Sequence, residues 1–318
     1  MRSVFLAFFV FVAVQLWRFA EWARDNGPFV SRPESFSGLL PVGHFTSLFG
    51  WLKGGGWDTF LPAGLIIIIA AVSVSLLFKR GFCGWICPLG TVWEIAAIAG
   101  RRLIGRNLRV PRWLDYAGRA FRYLITAAVF LFIAAVPVAE AVEFRELPYM
   151  WVADIKILES LLSPTMLLLF ALAFVLSMLF GAVWCRWLCP VGGLYSLFGL
   201  ASPCTVKRDA STCIDCGACS EKCHAFVDVN HAGTVRDTEC DGCMDCVRVC
   251  PVEGCLEGRA FGALRIPPWT WALLVVGTWL GIYLIARVAG QWDTTIPDEV
   301  FRQVINSGIL EQQTPGGL

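Results

Sequence analysis

The sequence has little charge for its length. Of its 318 residues, 16% are Asp, Glu, Lys or Arg and 57% are hydrophobic, whereas soluble domains are about 25% charged. A soluble globular fold is therefore excluded, and the composition is typical of a membrane protein. The net charge is +1 and no block of like charges occurs, so nothing indicates nucleic acid binding.

Histidine is scarce, and this scarcity excludes one class of redox protein. The three histidines, His44, His224 and His231, all lie outside the long uncharged runs. A b-type haem between membrane helices takes paired axial histidines from those helices, so a cytochrome b is excluded. No glycine-rich loop follows a strand pattern, so no flavin or nicotinamide site is visible.

Uncharged runs predict five membrane-spanning helices. Three runs reach the length of about 20 residues that a bilayer requires, and the first and third need Arg or Trp at their ends. The runs lie within 2–18, 58–79, 122–140, 159–186 and 265–287.

Basic residues predict the orientation of these spans. Loop 79–122 carries nine Lys or Arg and two acidic residues, so the positive-inside rule assigns it to the cytoplasm. By alternation, residues 185–265 are also cytoplasmic and the tail 288–318 is periplasmic. We predict a multi-pass protein of a bacterial cytoplasmic membrane, in contact with lipid.

A short cysteine motif occurs twice. FCGWICPLG (82–90) and WCRWLCPVG (184–192) share Cys, Trp, Cys, Pro and Gly, with the first cysteines at 83 and 185, 102 residues apart. This recurrence predicts an internal duplication. Because Pro disfavours α geometry in the preceding residue, each motif is expected to end or reshape its span, with Trp85 and Trp187 at the lipid–water interface.

The four motif cysteines have three possible roles. They could ligate a further metal or Fe–S centre, form a redox-active dithiol pair, or be packing residues. These cysteines are Cys83, Cys87, Cys185 and Cys189.

A second cysteine pattern predicts two [4Fe–4S] clusters. Cys-x₂-Cys-x₂-Cys-x₃-Cys begins at Cys213 and again at Cys240. Three cysteines of each run are expected to bind one cluster while the fourth reaches the other. Zinc sites use more widely separated pairs of cysteines. The first cluster is assigned to Cys213, Cys216, Cys219 and Cys250, and the second to Cys223, Cys240, Cys243 and Cys246.

Other polar and thiol side chains have less specific roles. Where Pro is usual after the fourth cysteine, the chain has His224, which is interpreted as an exposed loop residue, with a hydrogen bond to a cluster sulfur as the alternative. Cys204 and Cys255 are interpreted as buried structural thiols. Glu94 is interpreted as a surface carboxylate at the interface and His44 as a loop residue, with roles at a quinol site as the alternatives.

The predicted fold is a polytopic α-helical membrane protein of about five transmembrane helices with an internal repeat, plus a small α+β two-cluster ferredoxin domain. Its parts are a first transmembrane half (1–100), a second half (101–203), the ferredoxin domain (204–265) and a fifth helix with an external tail (266–318).

The motifs GFCGWICPLGTVWE and WCRWLCPVG, the following cluster motifs and the segment RPESFSGLLPVGHFTSLFGWL together resemble the NapH/MauN family of membrane polyferredoxins, to which NosR and CcoG proteins are related. The resemblance covers about residues 1–265. The fifth span and tail depart from it, because NapH-like proteins commonly end after the ferredoxin domain with four spans. Resemblance to NapH implies quinol oxidation coupled to a periplasmic reductase, and resemblance to MauN implies electron delivery during enzyme biogenesis.

Two functions are therefore favoured over the other hypotheses. The first is an electron-transfer subunit of a quinol-oxidising complex, which relays electrons between the quinone pool and a partner such as a ferredoxin or cytochrome subunit. The second is a maturation factor that donates electrons to a client enzyme or metal ion. A redox sensor is a third hypothesis, and a transporter is disfavoured because the spans lack charged residues.

Overall fold

The structure is a computed structural model that describes residues 2–105, 107–108 and 110–309. It is mostly helical, with a single four-stranded sheet in the described part. The α-helices are α1 (Arg2–Ala23), α2 (Pro41–Leu52), α3 (Pro62–Leu77), α4 (Gly81–Trp85), α5 (Pro88–Ile104), α6 (Arg112–Ala135), α7 (Val138–Glu146), α8 (Pro148–Leu161), α9 (Pro164–Phe180), α10 (Pro190–Leu200), α11 (Ala218–Lys222), α12 (Asp245–Val249), α13 (Pro268–Val288) and α14 (Asp298–Asn306). A 3₁₀ segment covers Glu34–Leu39 and a π-helical turn covers Trp184–Leu188.

Three helices of the described chain are long and apolar enough to cross a membrane by themselves: α1, α6 and α13, with 22, 24 and 21 residues. The pair α8 and α9, bent by 68° at its break, makes a fourth candidate if it counts as one span. The predicted span over 58–79 forms only the 16-residue helix α3, about 24 Å long. The structure therefore contains three or four candidate spans.

The expectation that the first and third spans are the short ones is wrong. Helix α1 continues past Arg18 to Ala23, and α6 starts at Arg112, ten residues before the uncharged run. The second span is shorter than its run because Asp58 accepts hydrogen bonds from the backbone N–H groups of Phe60 and Leu61, which forms a turn that ends where Pro62 begins α3. Uncharged runs thus measure composition rather than helix length.

The chain divides into two compact units. Unit 1 contains the described residues of 1–6, 70–129 and 170–280, and unit 2 those of 7–69, 130–169 and 281–318. Unit 1 holds all fourteen cysteines. Its core includes Val74, Phe78, Trp85, Met244 and Trp271, all buried.

A small antiparallel sheet lies in unit 1, in the order β2-β1-β3-β4. Its strands are β1 (Cys204–Arg208), β2 (Thr234–Val235), β3 (Leu256–Ala260) and β4 (Leu264–Ile266). Val206 of the central strand pairs with Val235 on one side and Gly258 on the other. The short helices α11 and α12 each carry cysteines of the cluster motifs, which completes a small α+β ferredoxin domain as predicted.

Unit 2 is built around a core of large apolar side chains from α1, α8 and α14, among them Leu16, Phe19, Ile155 and Phe301. Phe301 and Ile305 are the buried face of the amphipathic helix α14. Asn306 of this helix donates a 2.9 Å hydrogen bond to the carbonyl of Ala23. The tail helix is therefore packed within unit 2.

Candidate redox site

Both Cys-Pro junctions adopt the same backbone conformation. Cys87 has φ −62° and ψ 120°, and Cys189 has φ −70° and ψ 109°. Each is extended because a proline follows it, and each proline is the first residue of a helix, where its missing N–H costs nothing. The prediction that the motif reshapes the chain at this point is confirmed.

The repeated glycine keeps this turn tight. The backbone N–H of Gly192 donates to Cys189 Sγ at 3.3 Å. A Cβ atom at Gly90 would overlap the carbonyl oxygen of Cys83, whereas one at Gly192 would make ordinary contacts. Glycine at position 90 therefore lets α5 start close to Cys83.

The four motif thiols influence one another's ionisation. Burial raises the pKa of Cys83 to about 11, against the nearby Arg80, and the charge of Cys189 adds to the increase. Burial and then the charges of Cys83 and Cys189 raise the pKa of Cys87 to about 12, although hydrogen bonds from Gly90 and Leu89 oppose the shift. Cys185 responds in the same way to burial and to the other three thiols. The structure thus brings together the four motif cysteines, all as free thiols.

The spacing of these sulfurs does not suit a compact single-metal site. Among the residues that the structure describes, the one group of three or more potential ligand atoms within 4.8 Å of one another is His224, Cys243 and Asp245. A tetrahedral metal with bonds of about 2.3 Å to sulfur requires sulfurs about 3.8 Å apart. The motif sulfurs are therefore spaced more widely than a mononuclear centre requires.

Two arginines join the segments that carry the motif cysteines to the second cluster loop (240–246). Arg80 lies three residues before Cys83, and Arg122 donates to the carbonyl of Cys185 at 3.0 Å. Both guanidinium groups also bond to Glu239, at 3.1 Å and 2.5 Å, and Glu239 is the residue before Cys240. Its side chain is 0% exposed. Two cations share one carboxylate, so one positive charge remains to stabilise thiolates nearby.

The first cluster quartet lines one cavity. Cys213, Cys216, Cys219 and Cys250 are among its lining residues, with Arg208 and Cys255. The cavity is partly open to solvent. Three cysteines of one motif and the last of the other therefore come together, and the sulfur-rich lining fits an iron–sulfur cluster.

The two cluster loops repeat the same backbone at an offset of 27 residues. Asp215 and Gly217 have positive φ angles of 50° and 73°, and Gly242 and Met244 have 68° and 63°. Such left-handed residues curl the chain, and successive backbone N–H groups can then point into a concave loop that suits an anion. Cys223 and Cys250, which follow the short helices α11 and α12, have the same φ of −66°.

The second quartet is brought together in part. Burial raises the pKa of Cys246, and the charges of Cys240, Cys223 and Cys219 add to it. The thiol of Cys243 instead lies within 4.8 Å of a ring nitrogen of His224. Cys223, Cys240 and Cys246 of the second quartet therefore lie close together. The charge of Cys219, a residue of the first quartet, also acts on Cys246, so the two quartets are adjacent.

Comparison with known proteins agrees with this arrangement of cysteines. A family model described as a 4Fe-4S binding domain matches residues 60–107 and 162–203, and a model described as a 4Fe-4S dicluster domain matches residues 205–251. The first model thus covers both Cys-Pro motifs, in segments whose starts are 102 residues apart. No solved structure matches the chain.

Among curated proteins, YccM of Escherichia coli, which is named for electron transport, is 34% identical over 96% of this chain and 88% of its own length. NosR of Pseudomonas aeruginosa, named a regulatory protein, is 27% identical over 67% of this chain, which spans 30% of NosR. The ferredoxin-type protein NapH of Escherichia coli is 25% identical over 60% of this chain and 67% of NapH. The chain belongs to the NapH/NosR-related polyferredoxins. This membership makes it a membrane-associated iron–sulfur electron-transfer protein.

His224 of the polyferredoxin is not the exposed loop residue that the sequence favoured. Its side chain is 12% exposed and its Nε2 lies 2.9 Å from Asp241 Oδ2. Burial opposes its charge, but Asp241 and Cys243 outweigh burial and raise the pKa of His224. The alternative, a hydrogen bond to a cluster sulfur, stays a prediction, with the Cys243 sulfur within 4.8 Å of a ring nitrogen of His224.

Lys79 is a site residue that sequence analysis missed. Its side chain is buried, and burial lowers the pKa of its ammonium group although the charge of Cys240 opposes this. Lys79 also has a positive φ of 62°, unusual for a residue with a side chain. The residue 102 positions later is Gly181, with φ 76°. Comparing φ angles across the repeat reveals Lys79, which the sequence alone cannot.

The two repeated tryptophans differ in their surroundings. Trp85 is buried and its Nε1 donates to the carbonyl of Gly242 at 3.1 Å, so the interface position expected for it is wrong. Trp187 donates to Asp115 at 3.1 Å. The first half of the polyferredoxin therefore contacts the second cluster loop through Trp85 as well as Arg80.

Buried polar groups also occur in unit 2. Arg32 bonds to Asp154 at 2.6 Å and to Glu34 at 3.2 Å. Two carboxylates share one guanidinium, and burial raises the pKa of Glu34 to about 7 although Arg32 opposes the shift. His44 is buried too, its Nε2 2.8 Å from the carbonyl oxygen of Ser37. Burial lowers the pKa of His44 to about 4, and its ring lies where a Cβ at Gly64 would be.

The remaining candidates are buried. Glu94 in unit 1 pairs with Arg2 and is 13% exposed, so the surface position expected for it is wrong. Cys204 and Cys255 are buried as predicted. Cys255 also lines the first cavity.

Proposed function

We propose that this polyferredoxin is the electron-transfer subunit of a quinol-oxidising membrane complex and passes electrons between the quinone pool and a partner redox protein. One observation carries the proposal. Glu239, the residue before Cys240, pairs with Arg80, which lies three residues before Cys83, and with Arg122, which also donates to the carbonyl of Cys185. A short side-chain bridge thus links the motif cysteines to the second cluster loop.

Two [4Fe–4S] clusters are the proposed cofactors. We assign the first to Cys213, Cys216, Cys219 and Cys250 and the second to Cys223, Cys240, Cys243 and Cys246. When bound, each cluster would accept and release one electron, which suits the stepwise oxidation of a two-electron quinol. The positive charges of Lys79 and Arg80 would stabilise the reduced, more negative state of the second cluster. Trp85 excludes water from the second cluster loop.

A third centre at the motif cysteines is part of the proposal. It is supported by the family model described as a 4Fe-4S binding domain, which covers Cys83, Cys87, Cys185 and Cys189, and by their wide sulfur spacing. The buried Nε atoms of Arg80 and Arg122 have no partner in the described chain. An anionic centre would be stabilised by this positive environment.

The topology follows from the same proposal. We assign five spans, with α3 and α9 as equivalent helices of the duplicated halves 1–100 and 101–203. The ferredoxin domain (204–265) then faces the cytoplasm, and residues 266–318 comprise the fifth span and a periplasmic tail. The distribution of Lys and Arg in the loops supports this orientation.

Quinol reduction of the purified protein tests the function. The anaerobic protein would be mixed with a water-soluble menaquinol or ubiquinol analogue and followed by electron paramagnetic resonance (EPR). We expect signals of reduced clusters to appear at a quinol:quinone ratio that matches their potential. Full reduction by dithionite with none by either quinol would contradict a quinol-oxidising role and favour a maturation factor supplied by another donor.

Iron counting tests the third centre. We expect Cys83→Ser together with Cys185→Ser to lower the iron content by about four atoms per protein if a [4Fe–4S] cluster is held there. Cys204→Ser, a buried cysteine outside every motif, is the matched control and should keep the full iron content. Unchanged iron in the double variant would contradict ligation and favour a dithiol pair or packing.

A further inference from the structure

The two cluster loops have the same backbone but differ in exposure. Ile214 and Cys216 in the first loop are exposed, Ile214 to 64%. Their counterparts 27 residues later are Asp241 and Cys243, and each is only 8% exposed. Because sequence position and backbone are matched, the difference arises from what surrounds each loop.

Unit 1 covers the second loop from several sides. Trp85 donates to the carbonyl of Gly242, and a Cβ at Gly242 would contact both the carbonyl of Phe78 and the ring of Trp271. Arg80 and Arg122 bond to Glu239 at its start. The second loop is thus buried against helices of unit 1, while the first loop faces solvent.

We propose that the polyferredoxin exchanges electrons with a soluble one-electron carrier protein through the surface around Cys216. This proposal rests on the cluster assignments above. It gives the relay an order in which the second cluster takes electrons from the membrane part and the first passes them to the carrier. Each transfer moves one electron and makes or breaks no bond, so the carrier is reduced as the polyferredoxin is oxidised.

Charge indicates the kind of carrier. The Cys216 surface comprises the exposed residues beside the first cavity: Asp209, Ile214, Asp215, Cys216 and Glu253. Its three carboxylates outnumber the two cations beside them, Lys207 and Arg208, of which Arg208 pairs with Asp215 at 3.3 Å. Apolar Ile214 at the centre of an acidic rim is suited to a carrier with a basic face around its own redox centre.

Paramagnetic relaxation tests which cluster is exposed. Dithionite-reduced protein would be titrated with a soluble dysprosium chelate, and the relaxation of each EPR signal would be measured. We assign the signals by two variants: Arg208→Gln, which removes a charge that lines the first cavity, and Lys79→Gln, which removes the charge near Cys240. We expect the chelate to relax the signal that Arg208→Gln shifts. Stronger relaxation of the signal that Lys79→Gln shifts would overturn the proposal.

Electron transfer to a basic protein tests the surface itself. Reduced polyferredoxin would be mixed with mitochondrial cytochrome c, a basic one-electron protein, in a stopped-flow instrument. We expect Asp215→Asn with Glu253→Lys to slow cytochrome c reduction about tenfold at low ionic strength, with little difference at high salt. Asn tolerates the left-handed conformation of Asp215. Glu146→Lys, an exposed charge reversal in unit 2, is the control and should react at the wild-type rate.

Equal rates for the two charge variants would overturn the proposed surface. Dithionite supplies the electrons in both tests, so failure of quinol to reduce the protein would contradict only the quinol-oxidising function. A dithionite-reduced protein without any cluster signal would overturn the cluster assignments and this proposal together.

Discussion

The two Cys-Pro halves have the same backbone and different chemistry. Cys87 and Cys189 have nearly equal φ and ψ, and a proline follows each. Yet the residue with positive φ before the motif is Lys79 in one half and Gly181 in the other. The first half adds Arg80, which bonds to Glu239, and the second half has Ala182 at that position. The two motifs therefore share one backbone frame, but at this matched position only the first motif has a charged side chain that pairs with Glu239.

This difference assigns a separate task to each half. The first half contacts the second cluster loop through Arg80 and Trp85. The second motif contacts α6 instead, because Arg186 and Trp187 both bond to Asp115. The four predictions that follow change matched residues or compare two buried carboxylates.

The largest expected effect is at Glu239. Glu239→Gln keeps the shape of the side chain but leaves Arg80 and Arg122 buried without a counter-charge, so we expect a loss of about 3–5 kcal/mol in the free energy of unfolding. Asp115→Asn, the comparable change for the second half, removes a more accessible carboxylate and should cost about 1–2 kcal/mol. Denaturation in detergent measures both. Equal losses would contradict the special position of Glu239 between two buried arginines.

The second effect compares two buried carboxylates, Glu34 and Glu239. Burial opposes ionisation of Glu239, but Arg80 and Arg122 lower its pKa. Glu34 shares one arginine, and burial raises its pKa from 4.5 to about 7. The protonated form is therefore favoured by folding, and this contribution to stability is complete below about pH 4.5 and is lost as the pH rises through 7. We expect the free energy of unfolding of Glu34→Gln to be about 2–3 kcal/mol greater than that of the wild type at pH 8.

The same comparison at pH 4.5 should show little difference between Glu34→Gln and the wild type, because both side chains are then neutral. Glu146→Gln, an exposed carboxylate in the same unit, should not change the pH dependence of unfolding. A gain in stability from Glu34→Gln that is equal at both pH values would exclude the raised pKa as its cause.

The third effect compares Gly181 and Lys79, which have positive φ angles at matched positions before the two motifs. Gly181→Ala adds a Cβ that would overlap the Phe226 ring and strains the backbone, so we expect a loss of about 1–2 kcal/mol in the free energy of unfolding. Lys79→Gly relieves the same strain and should change it by less than about 1 kcal/mol. The lost cation should instead lower the reduction potential of the second cluster, as measured by a redox titration. An unchanged potential would contradict the role of Lys79.

The smallest effect separates the two tryptophans. Trp85→Phe removes the donor to the Gly242 carbonyl and should cost about 1 kcal/mol, together with a change in the EPR signal of the second cluster. Trp187→Phe should have a similar cost without altering that signal. Both variants keep an aromatic ring, so loss of packing is matched. A spectral change in Trp187→Phe alone would reverse the assignment of the halves.

The sequence was sufficient for features that depend on spacing and on proline. Both Cys-Pro turns and the cavity lined by Cys213, Cys216, Cys219 and Cys250 correspond to patterns within short segments. The Arg80–Glu239 bond joins residues 159 positions apart, and no local pattern encodes such a partner. His224 was interpreted as exposed because its burial depends on Asp241 and on the packing of the second loop.

The lengths of the helices and the positions of charged side chains within them were predicted less well, because these also depend on partners far away in the sequence. Counting uncharged residues assumes that a charge ends a span, but Arg122 lies inside α6 and is neutralised by Glu239. Arg2, the first residue of α1, pairs with Glu94. Ion pairs within unit 1 allow helices to include residues that a hydropathy rule excludes.

The proline that follows Cys87 and Cys189 has a consequence for the speed of electron exchange. A ring-locked dihedral and a helix start directly after each of these cysteines would leave the proposed third centre's ligands little freedom to relax when its charge changes. Little rearrangement means a low reorganisation barrier. The rate at this point would then be governed by tunnelling distance and by the difference in potential between neighbouring centres.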